Sequence, residues 1–308
     1  MSTKSVKAHL ALLASGCIWG LMSPVGKMAL EAGITSLSLA TMRMAGAAVC
    51  FWIASLFAPK EKVSKRDSGM LFFAALLCIV FNQGLFVFGL SLTSPVDASI
   101  MTTSLPVITM ILAALFLKEP VTPMKATGVI LGMGGALILI LSSHSGEKGG
   151  GNILGDILCL VAQFSFACYL TIFKGLISRY SVWTLMKWMF TYAAICFIPF
   201  SFQDMAVMVR QSFPVEVWLL VGYVVVFGTF VAYMLVLIGQ KTLRPTVVSM
   251  YNYVQPMVGA SVSVLIGMAT FGWMKGIAAV LIFVGVYAVT QSKSRDQLLN
   301  NDTKKAAN

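Results

Sequence analysis

Ten apolar runs, each about as long as a lipid bilayer is thick, constrain this chain more than any other feature of its sequence. A membrane-spanning α-helix needs roughly 20 consecutive apolar residues. Backbone N–H and C=O groups in lipid must bond within their own segment, so each run is predicted to be helical. The runs cover residues 9–29, 37–57, 70–91, 98–117, 126–142, 153–177, 183–201, 217–239, 247–267 and 273–291.

The low content of charged residues supports a membrane location. Only 11% of the residues are charged and 58% are hydrophobic, whereas a soluble domain carries about 25% charged residues. Since so few charges cannot cover a surface in water, most of the surface must face lipid. The six cysteines lie within apolar runs and form no C-x-x-C pair. They indicate neither a disulfide framework nor a metal site, and we expect no metal and no cofactor.

The basic residues predict an orientation in the membrane. The formal net charge is +11, and most Lys and Arg residues lie in the short segments between runs, where they orient a membrane protein. If the N-terminus is cytoplasmic, most of these residues fall on the cytoplasmic side, so we expect both termini there. The expected partners are a small-molecule substrate and a bilayer with anionic headgroups, and no nucleic acid. We expect a monomer or weak homo-oligomer.

The chain is predicted to consist of two similar halves. Matched residues recur at an offset of 150 positions: Gly89 with Gly239, Pro95 with Pro245, Ser99 with Ser249, Pro106 with Pro256, Lys125 with Lys275 and Gly135 with Gly285. The first helix aligns at an offset of 147, which places Lys27 on Lys174. The predicted segments are a cytoplasmic N-terminus (1–8), a first repeat (9–142), an extracytoplasmic linker (143–152), a second repeat (153–291) and a cytoplasmic tail (292–308).

The number of helices in each half predicts how the halves are related. Five is odd, so the second repeat begins on the opposite side of the membrane and is inverted. Inverted repeats are typical of secondary transporters, whose substrate sites lie near the bilayer midplane between the repeats. We therefore predict an all-α polytopic membrane protein with ten transmembrane helices arranged as two inverted five-helix repeats.

Several motifs carry a family resemblance over about residues 8–291. They are Trp19-Gly20 followed by Lys27, Arg43 in the second helix, and Ser99, Pro106, Lys118-Glu119-Pro120 and Gly128 through Gly135 at the end of the first repeat. Their order and spacing resemble the drug/metabolite transporter superfamily, in particular its ten-helix EamA-type permeases. The second repeat departs from the pattern because Ala269 stands opposite Glu119. The resemblance implies export of amino acids, metabolites or drugs across a bacterial inner membrane.

Polar side chains within the apolar runs are the candidates for a substrate site, because they are costly in lipid. Each of them either bonds another helix or contacts the substrate, and the sequence leaves both interpretations open. The offset of 150 pairs Gln83 with Tyr233 and Thr102 with Asn252. The predicted substrate-binding residues are Trp19, Asn82, Gln83, Ser99, Thr102, Gln163, Tyr169, Tyr233, Tyr251, Asn252 and Gln255.

Four further residues are predicted to have gating or structural roles. Arg43 lies about six residues into its run, where it either makes a structural or gating bond or meets an anionic group of the substrate. Lys27 is expected near the outer end of the first helix, at the extracytoplasmic surface of the membrane. Pro106 and Pro256 remove backbone donors and are expected to kink the interiors of their helices at matched positions.

These features favour a secondary transporter over other classes of membrane protein. The expected substrates are small amphipathic metabolites such as amino acids or drugs, and alternating access around a midplane cavity would move them. No run has an acidic residue at its centre, which favours uniport or exchange over proton antiport. A membrane channel or a non-transporting sensor is the alternative. An intramembrane enzyme is the least favoured class, because we find no Ser/His pair, metal motif or paired aspartates, and we assign no catalytic residues.

Overall fold

The computed structural model describes residues 3–92, 101–143, 153–265 and 273–293. These residues contain helices and turns but no β-strand. The helices are α1 (Thr3–Glu31), α2 (Ser36–Leu56), α3 (Lys65–Ala75), α4 (Asn82–Leu92), α5 (Leu105–Leu117), α6 (Pro123–Ser143), α7 (Ile153–Ile172), α8 (Lys174–Arg179), α9 (Val182–Arg210), α10 (Val215–Val225), α11 (Ala232–Thr242), α12 (Pro245–Met250), α13 (Val254–Leu265) and α14 (Trp273–Gln291). The predicted all-α fold is confirmed.

Many of these helices have the length and composition of membrane spans. Within the described residues, six helical stretches qualify: Thr3–Met22, Ser36–Leu56, Lys65–Gly89, Ile153–Ile172, Val182–Met208 and Val215–Thr242. Shorter apolar helices cover Leu105–Leu117, Pro123–Ile138 and Gly276–Gln291. Large apolar side chains also point outward, as at Phe57 (89% exposed) and Phe200 (80% exposed). Such a surface suits lipid rather than water, and the chain is a polytopic membrane protein.

Hydroxyl side chains fix where several helices begin. Thr35, Ser64 and Ser181 each accept a hydrogen bond from the backbone N–H three residues later, at the starts of α2, α3 and α9. These bonds satisfy N–H groups that the first helical turn leaves without partners. The capping bonds therefore help to set the first residues of α2, α3 and α9.

Two helix boundaries differ from the hydropathy prediction. α1 begins at Thr3 rather than at residue 9, and α9 continues to Arg210 through Pro199 rather than ending at residue 201. The predicted boundaries followed the apolar composition, but polar residues with good helix propensity extend a helix beyond the lipid. The segment 202–210, expected to be a polar break, is therefore helical.

Two six-residue π-helical segments interrupt the third and eighth runs at equivalent positions. Leu76–Phe81 separates α3 from α4, and Val226–Val231 separates α10 from α11. The two segments differ by the same offset of 150 residues that relates the repeats. A π-helix bonds residue i to residue i+5, and short π segments in α-helices are frequent at functional sites. Nothing in the apolar pattern predicted them.

The fourth and ninth runs are also broken at matched positions. A turn at Thr103–Ser104 precedes α5, and a 3-10 turn at Tyr251–Tyr253 separates α12 from α13. Pro106 stands in the first turn of α5 and Pro256 in the first turn of α13. That these prolines kink the interiors of their helices stays a prediction. Each proline follows a change in helical form, and a first helical turn tolerates proline because few of its N–H groups have a partner.

The contacts between helices follow the two-fold relation of an inverted repeat. α1 packs against α11 and α13, and its counterpart α7 packs against α4 and α5. α2 packs against its own counterpart α9, and α6 against its own counterpart α14. Each of these contacts therefore has an equivalent under the relation between the repeats, which supports the predicted inverted architecture.

Glycines bring α6 and α14 together across this two-fold relation. A Cβ on Gly285 would lie 2.6 Å from the Gly128 carbonyl oxygen, and one on Gly135 would lie 2.7 Å from the Ala278 carbonyl oxygen. Gly135 and Gly285 are matched residues, and so are Gly128 and Ala278. The backbones of the two helices therefore approach more closely than any larger side chains would allow at these positions.

Candidate functional site

A hydrogen bond between two matched residues lies at the centre of the molecule. The Gln83 amide nitrogen donates to the Tyr233 hydroxyl at 2.7 Å. The same offset of 150 separates Thr103 from Tyr253, whose hydroxyl donates to the Thr103 carbonyl at 3.1 Å. Residues related by a two-fold axis can contact each other only beside that axis. These two bonds therefore mark where the repeats meet.

Arg43 extends this central network. It is 7% exposed, so it does not reach the membrane surface. Its Nε donates to the Thr229 hydroxyl at 3.0 Å, and its Nη1 donates to the Gln83 side-chain oxygen at 3.1 Å. α2, α4 and the second π segment thus meet through one guanidinium group.

Aromatic rings pack against this network. Trp19 and Phe190 both contact the Tyr233 ring edge to face, with ring centroids 5.4 and 5.2 Å away. The Trp19 indole N–H donates to the Gly228 carbonyl at 2.9 Å. A π segment leaves such carbonyls available because its bonding pattern departs from that of the α-helix. Tyr233 and Trp19 therefore lie together, as expected if they line one site.

A small gap lies beside Trp19 and contains a second group of predicted residues. Its volume is about 10 Å³, which is room for about one water molecule. Nearby, the Tyr251 hydroxyl bonds His9 Nδ1 at 2.7 Å, and the Gln255 amide nitrogen donates to the Asn252 side-chain oxygen at 3.1 Å. The residues that line the gap are Leu12, Ser15, Gly16, Trp19, Phe166, Val236, Val248, Tyr251 and Asn252.

Other predicted site residues bond neighbouring helices. The Asn82 amide nitrogen donates to the Ala162 carbonyl on α7 at 3.0 Å, and the Tyr169 hydroxyl donates to the Gln240 side-chain oxygen on α11 at 3.0 Å. Gln163 is buried on α7, one residue beyond Ala162. In the described conformation, Asn82 and Tyr169 hold α4 and α11 against α7.

For the remaining predicted residues, the structure gives only part of the information. Thr102 is half-buried beside the break that precedes α5. Ser99 lies outside the described residues. The backbone of Lys27 belongs to α1, but its side chain lies outside the description.

A larger cavity between described residues does not contain the central network. It measures about 410 Å³ and lies between α2, α9 and α10, where it is lined largely by apolar residues. Ile198 and Phe202 on its wall are exposed, so this crevice opens to the side of the molecule. Polar groups that converge from both repeats are a better guide to a transport site than cavity size. We therefore take the Arg43–Gln83–Tyr233 network as the candidate site.

Polar contacts hold the repeats together at the predicted cytoplasmic end. The Ser181 backbone N–H donates to both carboxylate oxygens of Glu61, at 3.1 and 2.9 Å. Burial alone would raise the pKa of Glu61, but bonds from Ser181 and Thr184 and the charge of Lys241 outweigh it and lower that pKa. Within the second repeat, Lys174 donates to the Gln240 and Leu243 carbonyls at the end of α11. Burial lowers the pKa of Lys174 to about 8, against the opposing effect of Glu119.

The comparison with known families matches both halves of this architecture. The model of the EamA-like transporter family matches residues 6–141 and matches again at residues 153–291. The chain belongs to the EamA-like transporter family. The predicted resemblance is confirmed, and the two separate matches support an internal repeat. The family description is that of transporters.

Individual relatives of this EamA-like chain are distant. A WAT1-related protein of Arabidopsis thaliana is 23% identical over 96% of this chain and 87% of its own length. The uncharacterized transporter YetK of Bacillus subtilis is 21% identical over 95% of this chain and 89% of its own length. One solved structure, titled only as the crystal structure of a protein, has a TM-score of 0.72 and 15% identity over 92% of this chain and 96% of that one. That structural likeness supports the fold alone.

Sequence reasoning missed several residues of the EamA-like site. Thr229, Gly228 and Phe190 contact the network, and His9 bonds Tyr251. Thr229 and Gly228 lie only a few positions before Tyr233 in the same run. Small or hydroxylated residues near a matched polar pair are therefore the signal that could have identified them.

Proposed function

We propose that this chain is a secondary transporter that exports small amphipathic metabolites such as amino acids or drugs. The hydrogen bond between Gln83 and Tyr233 carries the proposal, because it places a polar contact of both repeats inside an apolar bundle. Inverted-repeat transporters bind their substrates at such positions. The surrounding Trp19 and Phe190 rings suit an apolar or planar part of the substrate.

The breaks in the fourth and ninth runs and the small volume of the gap support alternating access. A gap of about 10 Å³ admits no organic substrate, so transport requires the helices around it to separate. The breaks at Thr103–Ser104 and Tyr251–Tyr253 are points where the backbone can bend. We propose that the two repeats, residues 9–142 and 153–291, rock about these breaks and open one face at a time. The basic residues orient both termini toward the cytoplasm in this proposal, in a bacterial inner membrane.

The first experiment tests the site. Gln83→Ala and Asn252→Ala should each reduce substrate flux in proteoliposomes by about tenfold or more, because each removes a polar contact worth roughly 1 to 3 kcal/mol. Gln203→Ala, which changes an exposed glutamine, is the matched control. Full flux in both site variants, with equal amounts of inserted protein, would exclude these residues from the site. Flux that fails to saturate with substrate concentration would instead indicate a channel.

The second experiment tests the energy source. The central network contains no carboxylate among the described residues, whereas Glu61, Glu119, Asp156 and Glu216 lie near helix ends or in loops. Proton-coupled carriers usually place a titratable group deep in the membrane. We therefore expect facilitated diffusion or exchange, with flux unchanged by an imposed pH gradient. Uphill accumulation driven by that gradient would contradict this.

A further inference from the structure

The Arg43 guanidinium is incompletely bonded inside the bundle. Its Nε and Nη1 have the partners described above, but the buried Nη2 has no hydrogen-bond partner among the described residues. Buried polar groups in proteins are nearly always bonded, and each exception calls for an explanation. Two N–H donors of one nitrogen are therefore available at the centre of the molecule.

The charge of Arg43 is also uncompensated. The ion pairs within the described residues join Lys125 to Glu119 at 2.8 Å and Arg179 to Asp67 at 3.3 Å, both at the predicted cytoplasmic end. The partners of Arg43 are a neutral hydroxyl and a neutral amide oxygen. A buried cation without a counter-ion is costly. A purely structural role would favour a neutral side chain or an internal carboxylate.

We propose that Nη2 of Arg43 binds an anionic group of the transported molecule, a carboxylate or a comparable oxyanion. This inference rests on the proposed function. Charge-assisted bonds from arginine to an oxyanion are among the stronger hydrogen bonds in proteins. Arg43 lies inside the bundle, so its ligand is the cargo rather than a lipid headgroup.

The same network restricts which other chemical groups the transported molecule can carry. Arg43 bonds Gln83, which bonds Tyr233, and the Tyr233 ring contacts Trp19 on the wall of the small gap. An anion held at Nη2 would thus have aromatic rings close to it. No carboxylate of the described residues lies in the network to pair with an ammonium group. The preferred cargo is a small organic acid with an apolar body, and amines of the same shape are disfavoured.

The test compares molecules that share a shape and differ in charge. Benzoate and hexanoate would be compared with benzamide, hexanamide, benzylammonium and hexylammonium, by uptake into proteoliposomes and by thermal shift of the full-length protein. We expect wild type to favour the acids by about tenfold or more, the equivalent of one charge-assisted hydrogen bond. Arg43→Gln should abolish that preference and Arg43→Lys should retain part of it. Arg210→Gln, at an exposed arginine, is the control for loss of charge.

A second variant keeps the test valid if Arg43→Gln does not fold. Gln83→Glu has nearly the shape of glutamine and places a carboxylate beside the guanidinium. It should suppress acid uptake and relatively favour the amides, because the internal anion occupies Arg43.

The outcomes separate the two proposals. If amides or amines move as well as acids do, and neither variant alters the ratio, the anion site is wrong while the transporter stands. If no acid shows saturable flux or stabilisation, the anion site is wrong, and the transporter proposal fails as well if amino acids and drugs also show no saturable flux.

Discussion

Arg43, Gln83 and Tyr233 form a chain of hydrogen bonds in which each group orients the next. Gln83 accepts from Arg43 through its oxygen and donates to Tyr233 through its nitrogen. Both ends of one amide are therefore used, and an amide suits this position better than a carboxylate or an apolar group. The two repeats are joined here through side chains rather than through the backbone.

Removing one hydroxyl tests this chain of bonds. Tyr233→Phe leaves the Gln83 amide without its 2.7 Å acceptor, and we expect unfolding to become easier by roughly 1 to 3 kcal/mol. Flux should fall as well, because Gln83 loses its fixed orientation. Thermal unfolding in detergent and liposome uptake measure the two effects. Tyr287→Phe, at an exposed tyrosine, should change neither, and a Tyr233→Phe variant with wild-type values in both assays would contradict the role of the hydroxyl.

At the scale of the secondary-structure element, the interruptions of the helices show the relation between the two repeats more clearly than the regular helices do. The π segments, the breaks before α5 and α13, and the glycine contacts of α6 and α14 all occur at matched positions in the two repeats. The sequence predicted the repeat, the ten runs and the pairing of Gln83 with Tyr233. It did not predict the π segments, because neither contains proline and apolar spacing does not distinguish the two bonding patterns. Whether Asn82 meets a helix or a substrate depends on helix rotation, which hydropathy does not determine.

The crossing of α6 and α14 gives a test with an internal control. Gly285→Ala would place a methyl group 2.6 Å from the backbone oxygen of Gly128, which cannot rotate away. Overpacking of this kind costs typically about 1 to 3 kcal/mol. Gly134→Ala on the same α6 meets no atom within 4 Å and should be neutral or slightly stabilising. Equal melting temperatures for the two variants in detergent would show that the helices do not cross here.

Pro256 tests the break in the ninth run. Proline has no N–H for the carbonyl of Asn252 four residues earlier, and alanine would supply one. Pro256→Ala should therefore straighten the run and shift the balance between inward-open and outward-open states. Labelling of engineered cysteines on both membrane faces with an impermeant maleimide would measure the shift, with Pro59→Ala in an exposed connection as control. Unchanged labelling on both faces would remove this break from the gating mechanism.

At the scale of the whole molecule, the two repeats are joined at several places. The central network and the crossing of α6 with α14 are two of them, and the contact of Glu61 with the start of α9 at the predicted cytoplasmic end is another. In the proposed transport cycle, the Glu61 contact must break for the protein to open inward. The sequence could not reveal it, because Glu61 and Ser181 lie 120 positions apart in exposed connections.

The Glu61 contact should depend on pH. Its carboxylate has a lowered pKa in the folded protein, so the folded state binds fewer protons than the unfolded state and stability rises with pH between the two values. The contribution is present above about pH 4.3, the ordinary value for Glu, and is lost as the pH falls below it. Glu61→Gln should thus lower the melting temperature at pH 7 and have less effect near pH 3. Glu216→Gln is the control, and a pH-independent difference would contradict the assignment.

The paired π segments suggest how the helices could rotate during transport. Taking one residue into or out of a helical turn rotates everything beyond it by about 100°, the angle of one α-helical residue. Gln83 lies two residues beyond the first segment and Tyr233 two residues beyond the second. If one segment converts to an α-helix while the other remains a π-helix, either Gln83 or Tyr233 rotates away, and the hydrogen bond between them breaks. The two segments are equivalent and run in opposite directions through the membrane. The segment that converts would therefore determine to which membrane face the substrate site opens.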